Sequence, residues 1–520
     1  MPDRLLEAYE TVPYESKPIH LSHASAIEVI ARLHGLTPPP SARCRVLELG
    51  CASGGNVIAM AARLPNSQFV GIDLTPGQIA IGQETIEALG LRNISLHAMS
   101  LVDVTADFGM FDYIVCHGVY SWVPPEVQDA ILRICSENLS PSGIAYVSYN
   151  IYPGWHIRGM ARDMMAYHDK ASLPPAERIA RARTFIDTIA AAANQRSPHA
   201  QPLAREAEVL REQGDVYLLH EQLEPFNTPV YFAEFARRAA ARRLRYVAEA
   251  KVSNGTEVPA WMSELLDGQS DDVVRVQQYH DFASGGTFRR TLLCHDTAVP
   301  NPKPDAASIR DFHLVMRAVP AKPSEEDARR SNGTAESFKS ADDVVVTTNN
   351  PMVIAALHAL LRVMPAALSF TELARRVDER LRIDLPPGFS DDGVNLHEGL
   401  EDAMFQCATG GLVELLCDES PLSTTISERP IAYPLARYRA EMGGVVPSLR
   451  HYAVEVSGLE RLILMHLDGT TTRERLLELT ENAILDGSLT TGNERPSREQ
   501  LAAAIEAALH RFVLASLLEA

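Results

Sequence analysis

One short stretch limits the possible folds of this chain more than any other: an apolar strand that runs into a glycine-rich turn and then a helix. Residues 46–56 read Val-Leu-Glu-Leu-Gly-Cys-Ala-Ser-Gly-Gly-Asn, and a second apolar stretch at 68–72 ends in Asp73. The glycines of the turn let backbone approach a ligand where a Cβ would collide. The Asp73 carboxylate is placed to accept hydrogen bonds from both hydroxyls of a ribose. The pattern predicts a nucleoside pocket at the carboxyl edge of a parallel sheet.

The spacing of the glycines separates two candidate ligands. Dinucleotide sites favour G-x-G-x-x-G, in which the third glycine lets helix and strand meet beneath a pyrophosphate. Here Gly50 and Gly54 are separated by three residues, Ala52 stands at the middle glycine position, and Glu48 precedes Gly50 by two places. This Glu-x-Gly-x-x-x-Gly form resembles the first motif of class I methyltransferases, which bind S-adenosylmethionine (SAM). We therefore expect a SAM pocket.

The whole chain narrows the class of protein further. Its 520 residues are too many for one hydrophobic core, so we expect roughly two to four domains. A net charge of −19 argues against a general nucleic-acid binder and is compatible with a basic substrate. Seven scattered cysteines with no C-x-x-C pair favour a reducing compartment. With no signal-peptide core and no apolar membrane-spanning segment, we expect a cytoplasmic protein.

The first part of the chain alternates strand-like and helical patterns. After the two strands named above, further strands are expected at 93–98, 113–117 and 144–149, with helices at 76–89 and 126–139 between them. Five apolar strands separated by helices predict an α/β fold, a doubly wound Rossmann-like sheet.

Class I methyltransferases usually close this sheet with a helix and an antiparallel pair of strands. Here that ending comes after a gap: a helix at 231–243, a strand at 244–250 and a stretch at 287–294 that alternates as an edge strand would. The intervening residues 158–213, rich in Ala, Arg and Glu, then form a helical insertion over the active-site edge, serving as a lid or dimer contact. An independent helical linker domain is the alternative.

The C-terminal half begins after a segment rich in Pro and Ser, which marks a boundary. Two similar helical units follow, and both resemble winged helices. Their acidic helices favour protein interaction over DNA binding. The predicted domains are a SAM-binding core at 1–157, a helical insertion at 158–227, closing elements in the regulatory-domain region at 228–300, a linker at 301–343, and winged-helix-like units at 344–420 and 421–520.

Aromatic residues cluster after the fourth and fifth expected strands, at 117–124 and 148–155. This is unusual because loops are generally polar. A methyl acceptor must lie about 3 Å from the methyl group in line with its bond. An aromatic channel suits an amine through cation–π attraction, and desolvation favours the neutral, attacking form. The predicted channel residues are Tyr120, Trp122, Tyr149, Asn150, Tyr152 and Trp155. The alternative is a rigid aromatic scaffold that holds the loops.

The residues expected to hold SAM follow the first four strands. An acidic residue often contacts adenine after the third strand, but here Asp103 comes two or three places late, so Ser100 is expected there. No metal is expected, because His-Glu-Gln-Leu-Glu at 220–224 lacks the second histidine of H-E-x-x-H. The predicted SAM-binding residues are Glu48, Gly50, Ala52, Gly54, Asn56, Asp73, Leu74, Gln78, Ser100, Leu101 and His117.

Three further strings join these motifs: Tyr-Glu-Thr-Val-Pro-Tyr-Glu-Ser at 9–16, Gln-Gln-Tyr-His-Asp-Phe at 277–282 and Thr-Phe-Arg-Arg-Thr-Leu-Leu at 287–293. Together they resemble bacterial methyltransferases with a methyltransferase regulatory domain, a family that includes protein-lysine methyltransferases acting on outer-membrane proteins of rickettsia-like bacteria. The resemblance implies SAM as donor, protein lysine as acceptor, dimerisation through the insertion, and Tyr14 folding over SAM. The chain departs from it at 22–24, where Ser-His-Ala replaces the Thr-His-Pro of relatives.

These observations predict a SAM-dependent N-methyltransferase that acts on lysine side chains of a protein substrate. One alternative is a small-molecule or peptide N- or O-methyltransferase whose C-terminal units dock a carrier or partner. Another is a SAM-binding regulatory protein whose winged helices contact DNA or a partner. Labelled methyl groups in macromolecules or in metabolites would separate the first two.

Overall fold

The chain folds around a seven-stranded sheet. The computed structural model describes residues 16–193, 196–224, 226–253, 258–266, 268, 271–322, 324, 335–383, 398–419, 422–490 and 496–519. The strand order is 3-2-1-4-5-7-6, with strands 1 to 5 parallel to one another and strand 7 antiparallel to both strand 5 and strand 6. The strands are β1 Arg45–Leu49, β2 Gln68–Asp73, β3 Ile94–Ala98, β4 Phe111–Cys116, β5 Leu139–Asn150, β6 Leu244–Glu249 and β7 Phe288–His295. The predicted doubly wound sheet is confirmed.

Helices cover both faces of this sheet because alternate strand residues point to opposite sides. Val46 of β1 belongs to the core beneath the first three helices, whereas its neighbour Leu47 belongs to the core on the other face. The helices of the sheet region are α1 Ala24–Leu33, α2 Gly55–Arg63, α3 Pro76–Leu89 and α4 Pro125–Glu137.

The closing strands differ from expectation in one respect. β7 is not an edge strand: it lies between β5 and β6, and β6 forms the edge. The residues Thr291, Leu292 and Leu293 are each fully buried, as expected for a strand covered on both faces. The helices that accompany these strands are α9 Phe232–Ala241, α10 Ala260–Leu265 and α11 Val273–Ser284.

The segment between β5 and the closing elements is helical and has a core of its own. Met165, Ile186 and Leu203, from three successive helices, pack together in a cluster separate from those of the sheet. The helices are α5 Gly154–His168, α6 Pro175–Ala192, α7 Ala200–Glu212 and the short α8 Asp215–Tyr217, which continues into a π-helical turn over Leu218–Gln222.

The expected linker at 301–343 contains regular structure. The strand β8, His313–Met316, lies between β12, Leu368–Ser369, and β13, Val413–Leu416, in one small sheet. In a second small sheet, β10, Glu336–Ser340, lies between β9, Ala318–Ala321, and β11, Val345–Thr348. Pro320 of β9 is accommodated because β9 is the edge of that sheet, where a missing N–H costs no ladder bond. The strands are β8 His313–Met316, β9 Ala318–Ala321, β10 Glu336–Ser340, β11 Val345–Thr348, β12 Leu368–Ser369 and β13 Val413–Leu416, and the helices are α12 Pro351–Leu361, α13 Phe370–Ile383 and α14 Leu400–Thr409.

The last unit packs four helices around a short hairpin, and it shares one apolar core with the sheet region. Val46 and Met60 belong to the same buried cluster as Leu314, Leu435 and Leu509. Within the described part of the chain, no helix is long and apolar enough to cross a membrane. The elements are α15 Pro434–Met442, β14 Val446–Pro447, β15 Ala453–Val454, α16 Gly458–Met465, α17 Arg473–Leu485 and α18 Arg498–Leu514.

Candidate functional site

The glycine turn after β1 lies at the carboxyl edge of the sheet, where the strand order reverses between β1 and β4. Gly50 and Gly54 have φ of 73° and 77°, and Ala52 between them has φ of 48°. The backbone N–H of Gly50 donates to the Ile72 carbonyl of β2 over 2.8 Å. A Cβ on Gly50 would lie 2.4 Å from Cγ2 of Val119, so the turn needs glycine for space as well as conformation.

The start of α2 is covered by the chain that precedes α1. The N–H of Gly55 donates to Oγ of Ser16 over 2.7 Å, and a Cβ on Gly55 would lie 2.2 Å from the Ser16 carbonyl oxygen. Sequence reasoning did not select Ser16, although it ends the string at 9–16. Tyr14 lies outside the described residues.

Asp73 joins the glycine turn to the end of β2. Its Oδ2 accepts from the N–H of Ala52 over 2.8 Å, and its Oδ1 accepts from the N–H of Thr75 over 2.9 Å. Each carboxylate oxygen retains a further lone pair. The side chain is only partly buried. Asp73 is therefore held rigidly and can still accept from the two hydroxyls of a ribose.

The neighbouring strand ends offer apolar surface. Leu74 after β2 is 41% exposed and Val102 after β3 is 46% exposed. Ser100 caps the short turn that follows β3, its Oγ accepting from the Val102 N–H over 3.3 Å, and Leu101 is buried beneath it. Gln78 is buried in α3. Exposed apolar side chains at two adjacent strand ends suit the faces of a planar base.

Glu48 supplies the strongest sign that the site takes a further polar group. The side chain is buried, and burial raises its pKa to about 8. Nδ2 of Asn56 donates to Oε1 of Glu48 over 2.7 Å, whereas Oε2 has no hydrogen-bond partner among the described residues. An orphaned buried carboxyl oxygen beside a glycine cradle fits a ligand that carries an N–H donor.

His117 directly follows β4, on the other side of the strand-order reversal. Its Nδ1 lies 2.8 Å from the hydroxyl of Tyr146. Burial, followed by the positive charges of Arg290 and Lys17, lowers its pKa to about 3. His117 is thus a neutral and weak base, and the two nearby cations are positions that sequence reasoning did not select.

Two of the predicted channel residues lie in the core. The ring of Tyr149 stacks on Phe235 of α9 at 3.9 Å between centroids, and Tyr120 meets the same ring edge-on at 5.3 Å. Both tyrosines are buried, and the Tyr149 hydroxyl lies 2.9 Å from Oγ1 of Thr291. The structure places this pair between the sheet and α9.

The two tryptophans form a second group. Trp122 and Trp155 meet edge-to-face with centroids 6.2 Å apart, and the guanidinium of Arg158 lies 5.1 Å above the Trp155 ring. Trp155 is buried, and its indole N–H has no hydrogen-bond partner among the described residues. Near the end of β5 the structure therefore has a buried indole pair with one unpaired N–H.

The remaining two channel residues lie at the junction with the insertion. Tyr152 stacks on His156 at 4.1 Å and lies 5.4 Å from the ring of Tyr231. Nδ2 of Asn150 donates to Oδ1 of Asn227 over 3.1 Å. The six predicted channel residues therefore occupy three separate settings around the ends of β4 and β5.

Among the described residues, no group of three or more His, Cys, Asp or Glu side chains could hold a metal ion. His220 is buried and lies 3.1 Å from Oε1 of Glu224.

Comparison with protein families matches three parts of the chain. Residues 46–143 match a methyltransferase domain, residues 214–295 match a predicted methyltransferase regulatory domain, and residues 428–519 match the PKMT C-terminal winged helix domain. The first match contains the glycine turn, Asp73 and the end of β4.

Relatives extend over most of the chain. An uncharacterized protein of Rickettsia prowazekii is 32% identical over 496 residues, which cover 94% of this chain and 88% of that one. A second uncharacterized protein of the same organism is 38% identical over 233 residues, 45% of this chain and 93% of that one. The solved structure of PKMT2 from Rickettsia typhi superposes with a TM-score of 0.85 at 27% identity, covering 97% of this chain and all of that one. The Rickettsia typhi protein has also been solved in complex with AdoHcy, and that structure superposes equally well.

Proposed function

The chain belongs to the family of bacterial class I SAM-dependent methyltransferases that carry a regulatory domain and a PKMT winged-helix domain, and we propose that it methylates lysine side chains of protein. One observation carries the proposal: the likeness to PKMT2 of Rickettsia typhi extends over 97% of this chain. PKMT abbreviates protein lysine methyltransferase. A likeness of that extent includes the regions outside the SAM-binding sheet.

On the donor side, we assign the nucleoside to the turn and to Asp73, because the two carboxylate oxygens retain lone pairs that face no other described donor. We assign Oε2 of Glu48 to an amine N–H of the cofactor, which it accepts once the carboxyl releases the proton that burial otherwise retains. When bound, SAM supplies a sulfonium methyl group whose carbon an amine nitrogen can attack, with AdoHcy leaving as the thioether. The other residues proposed to line this side are Leu74, Gln78, Ser100, Leu101 and His117.

On the acceptor side, we propose that Trp122, Trp155 and Tyr152 orient the lysine amine. Aromatic faces attract an ammonium and, by excluding water, lower its pKa so that more of it is neutral. The nitrogen lone pair forms the new N–C bond as the C–S bond breaks, and the extra proton on nitrogen passes to water. With a pKa of about 3, His117 is too weak a base to take that proton.

Tyr120 and Tyr149 contribute differently in this proposal. Their rings fix β5 against α9 through Phe235, and Asn150 holds the following segment through Asn227. These residues position the strand end on which Tyr152 and Trp155 stand.

We further propose that the helical insertion predicted at 158–227, which the chain enters through α5, mediates dimerisation. Its first helix leaves large apolar side chains in solvent: Tyr167 is 93% exposed and Ile157 is 49% exposed. Exposed apolar side chains mark a contact surface where they form a contiguous patch, and the oligomeric state in solution tests whether this helix carries one.

The substrate class is tested by incubating the protein with radiolabelled SAM and a bacterial lysate, then separating macromolecules from metabolites. We expect base-stable label in protein that disappears with Asp73→Ala. Label confined to the metabolite fraction would overturn the protein acceptor while leaving the methyltransferase in place.

A further inference from the structure

A side chain from the C-terminal unit reaches the SAM-binding turn. Nε2 of His451 lies 2.7 Å from Oδ1 of Asn56, although the two residues are 395 positions apart in sequence. Asn56 is the second residue of α2, directly after the glycines, and it is 4% exposed. His451 is 3% exposed. The contact is therefore buried and joins the last unit of the chain to the donor side of the site.

The hydrogen bonds around Asn56 determine which atom of its side-chain amide is the oxygen and which is the nitrogen. Oδ1 accepts from the backbone N–H of Ile19 over 2.8 Å, so this atom is the oxygen. Nδ2 donates to Oε1 of Glu48 over 2.7 Å and to Oγ of Ser22 over 3.0 Å. Both protons of the amide nitrogen are used.

This arrangement also fixes the tautomer of His451. Because Oδ1 of Asn56 can only accept, Nε2 of His451 must carry the proton and donate it. Burial, together with the nearby His23 and His20, lowers the pKa of His451 well below its ordinary value, so the ring is neutral. The neutral imidazole of His451 therefore donates one hydrogen bond, from Nε2 to Oδ1 of Asn56.

The backbone of the C-terminal unit is shaped to present this donor. His451 lies between β14 and β15 with φ of 62°, and its N–H donates to the Ser448 carbonyl over 2.9 Å. The flanking residues also contact the sheet region: Tyr452 stacks on His20 at 4.1 Å, and the Arg450 carbonyl lies 3.1 Å from Nδ1 of His20. A left-handed conformation in a residue other than glycine is held in place by such surroundings.

We propose that His451 is a positioning residue of the SAM site. It holds the Asn56 amide in the orientation that binds Oε1 of Glu48 and thereby leaves Oε2 available to the cofactor. The C-terminal unit thus completes the donor side of the site and is not only a surface for partners. The proposal rests on the SAM site assigned at the glycine turn and is independent of the lysine acceptor.

The test measures AdoHcy binding by calorimetry on the full-length protein, which needs no acceptor. His451→Asn keeps a residue that tolerates a positive φ but is too short to reach Asn56, and His451→Phe keeps a ring without an N–H. We expect both to weaken AdoHcy binding about five- to tenfold. His451→Gln, whose amide nitrogen reaches the position of Nε2, should stay within about twofold of the wild type.

Tyr433→Phe is the matched control, because it removes a 3.4 Å contact between the same C-terminal unit and the Ala59 carbonyl of α2 without touching Asn56. It should bind AdoHcy like the wild type. The proposal is overturned if folded His451→Phe binds as tightly as the wild type, or if Tyr433→Phe or His451→Gln weakens binding as much as His451→Asn. A wild-type affinity in Asp73→Ala would instead show that the SAM site itself is misplaced.

Discussion

The donor and acceptor sides of the site are built in different ways. The donor side consists of a backbone turn whose glycines are close in sequence, one carboxylate on the adjacent strand, and an amide fixed by four side chains or backbone groups. The acceptor side consists of aromatic side chains that separate into a buried pair, an indole pair and a junction with the insertion. Backbone conformation therefore governs the donor side, whereas packing from distant segments governs the acceptor side.

The largest effect is expected on the donor side. Asp73→Ala removes the carboxylate that accepts from Ala52 and Thr75 and that we assign to the ribose. AdoHcy affinity measured by calorimetry should fall by at least about fiftyfold, since two hydrogen bonds to a charged group are lost. Asp103→Ala, which removes an exposed acid from the neighbouring strand end, is the control and should leave affinity unchanged. Equal affinities for Asp73→Ala and the wild type would refute the assignment.

The second prediction concerns Glu48 and pH. Because burial raises its pKa to about 8, the folded state retains a proton that the unfolded state has released, so stability falls as pH rises towards 8. Between about pH 6.5 and 8 the loss should be on the order of 1–2 kcal/mol. Thermal unfolding of Glu48→Gln should lack this decline, because the amide does not titrate. A parallel decline in both proteins would show that other groups cause it.

The third prediction tests the acceptor side. Trp155→Ala should lower turnover about tenfold with little change in AdoHcy affinity, because the indole orients the acceptor and not the cofactor. Trp261→Ala provides the control, since Trp261 is a half-exposed indole on α10 and is not one of the predicted channel residues. If Trp155→Ala weakens AdoHcy binding as strongly as it lowers turnover, the separation into two sides fails.

The smallest effect is expected at the buried tyrosine pair. Tyr149→Phe deletes the hydroxyl that lies 2.9 Å from Thr291 and should cost about 1 kcal/mol of unfolding free energy and a few-fold in turnover. Tyr120→Phe loses only a 3.4 Å contact with Arg238 and serves as the milder comparison. Turnover unchanged in Tyr149→Phe would remove this residue from the acceptor side.

Sequence reasoning anticipated elements whose signals are local. Helix α3 begins at Pro76 and ends before Gly90, which has φ of 64°, because proline suits the first helical turn and glycine suits the left-handed cap. The turn at Gly50 and its partner Asp73 could be predicted from the sequence for the same reason. Their chemistry requires particular residue types at short spacing.

The remaining features depend on contacts between distant segments. Nothing in the sequence near His451 indicates that it contacts Asn56. The strands β8 to β10 could not be predicted locally, because each is defined by pairing with strands from other parts of the chain. Aromatic composition marked the ends of β4 and β5, but only packing against Phe235 shows that Tyr120 and Tyr149 face the core.

The most direct test of the central claim identifies the methylated atom. Lysate protein is first acetylated at its amines or mock-treated, then incubated with the enzyme and radiolabelled SAM, and the labelled protein is hydrolysed for amino-acid analysis. A protein-lysine methyltransferase should place the label in Nε-methyllysine in mock-treated protein and transfer almost none to acetylated protein. Label in another amino acid, or equal labelling after acetylation, would contradict the lysine acceptor.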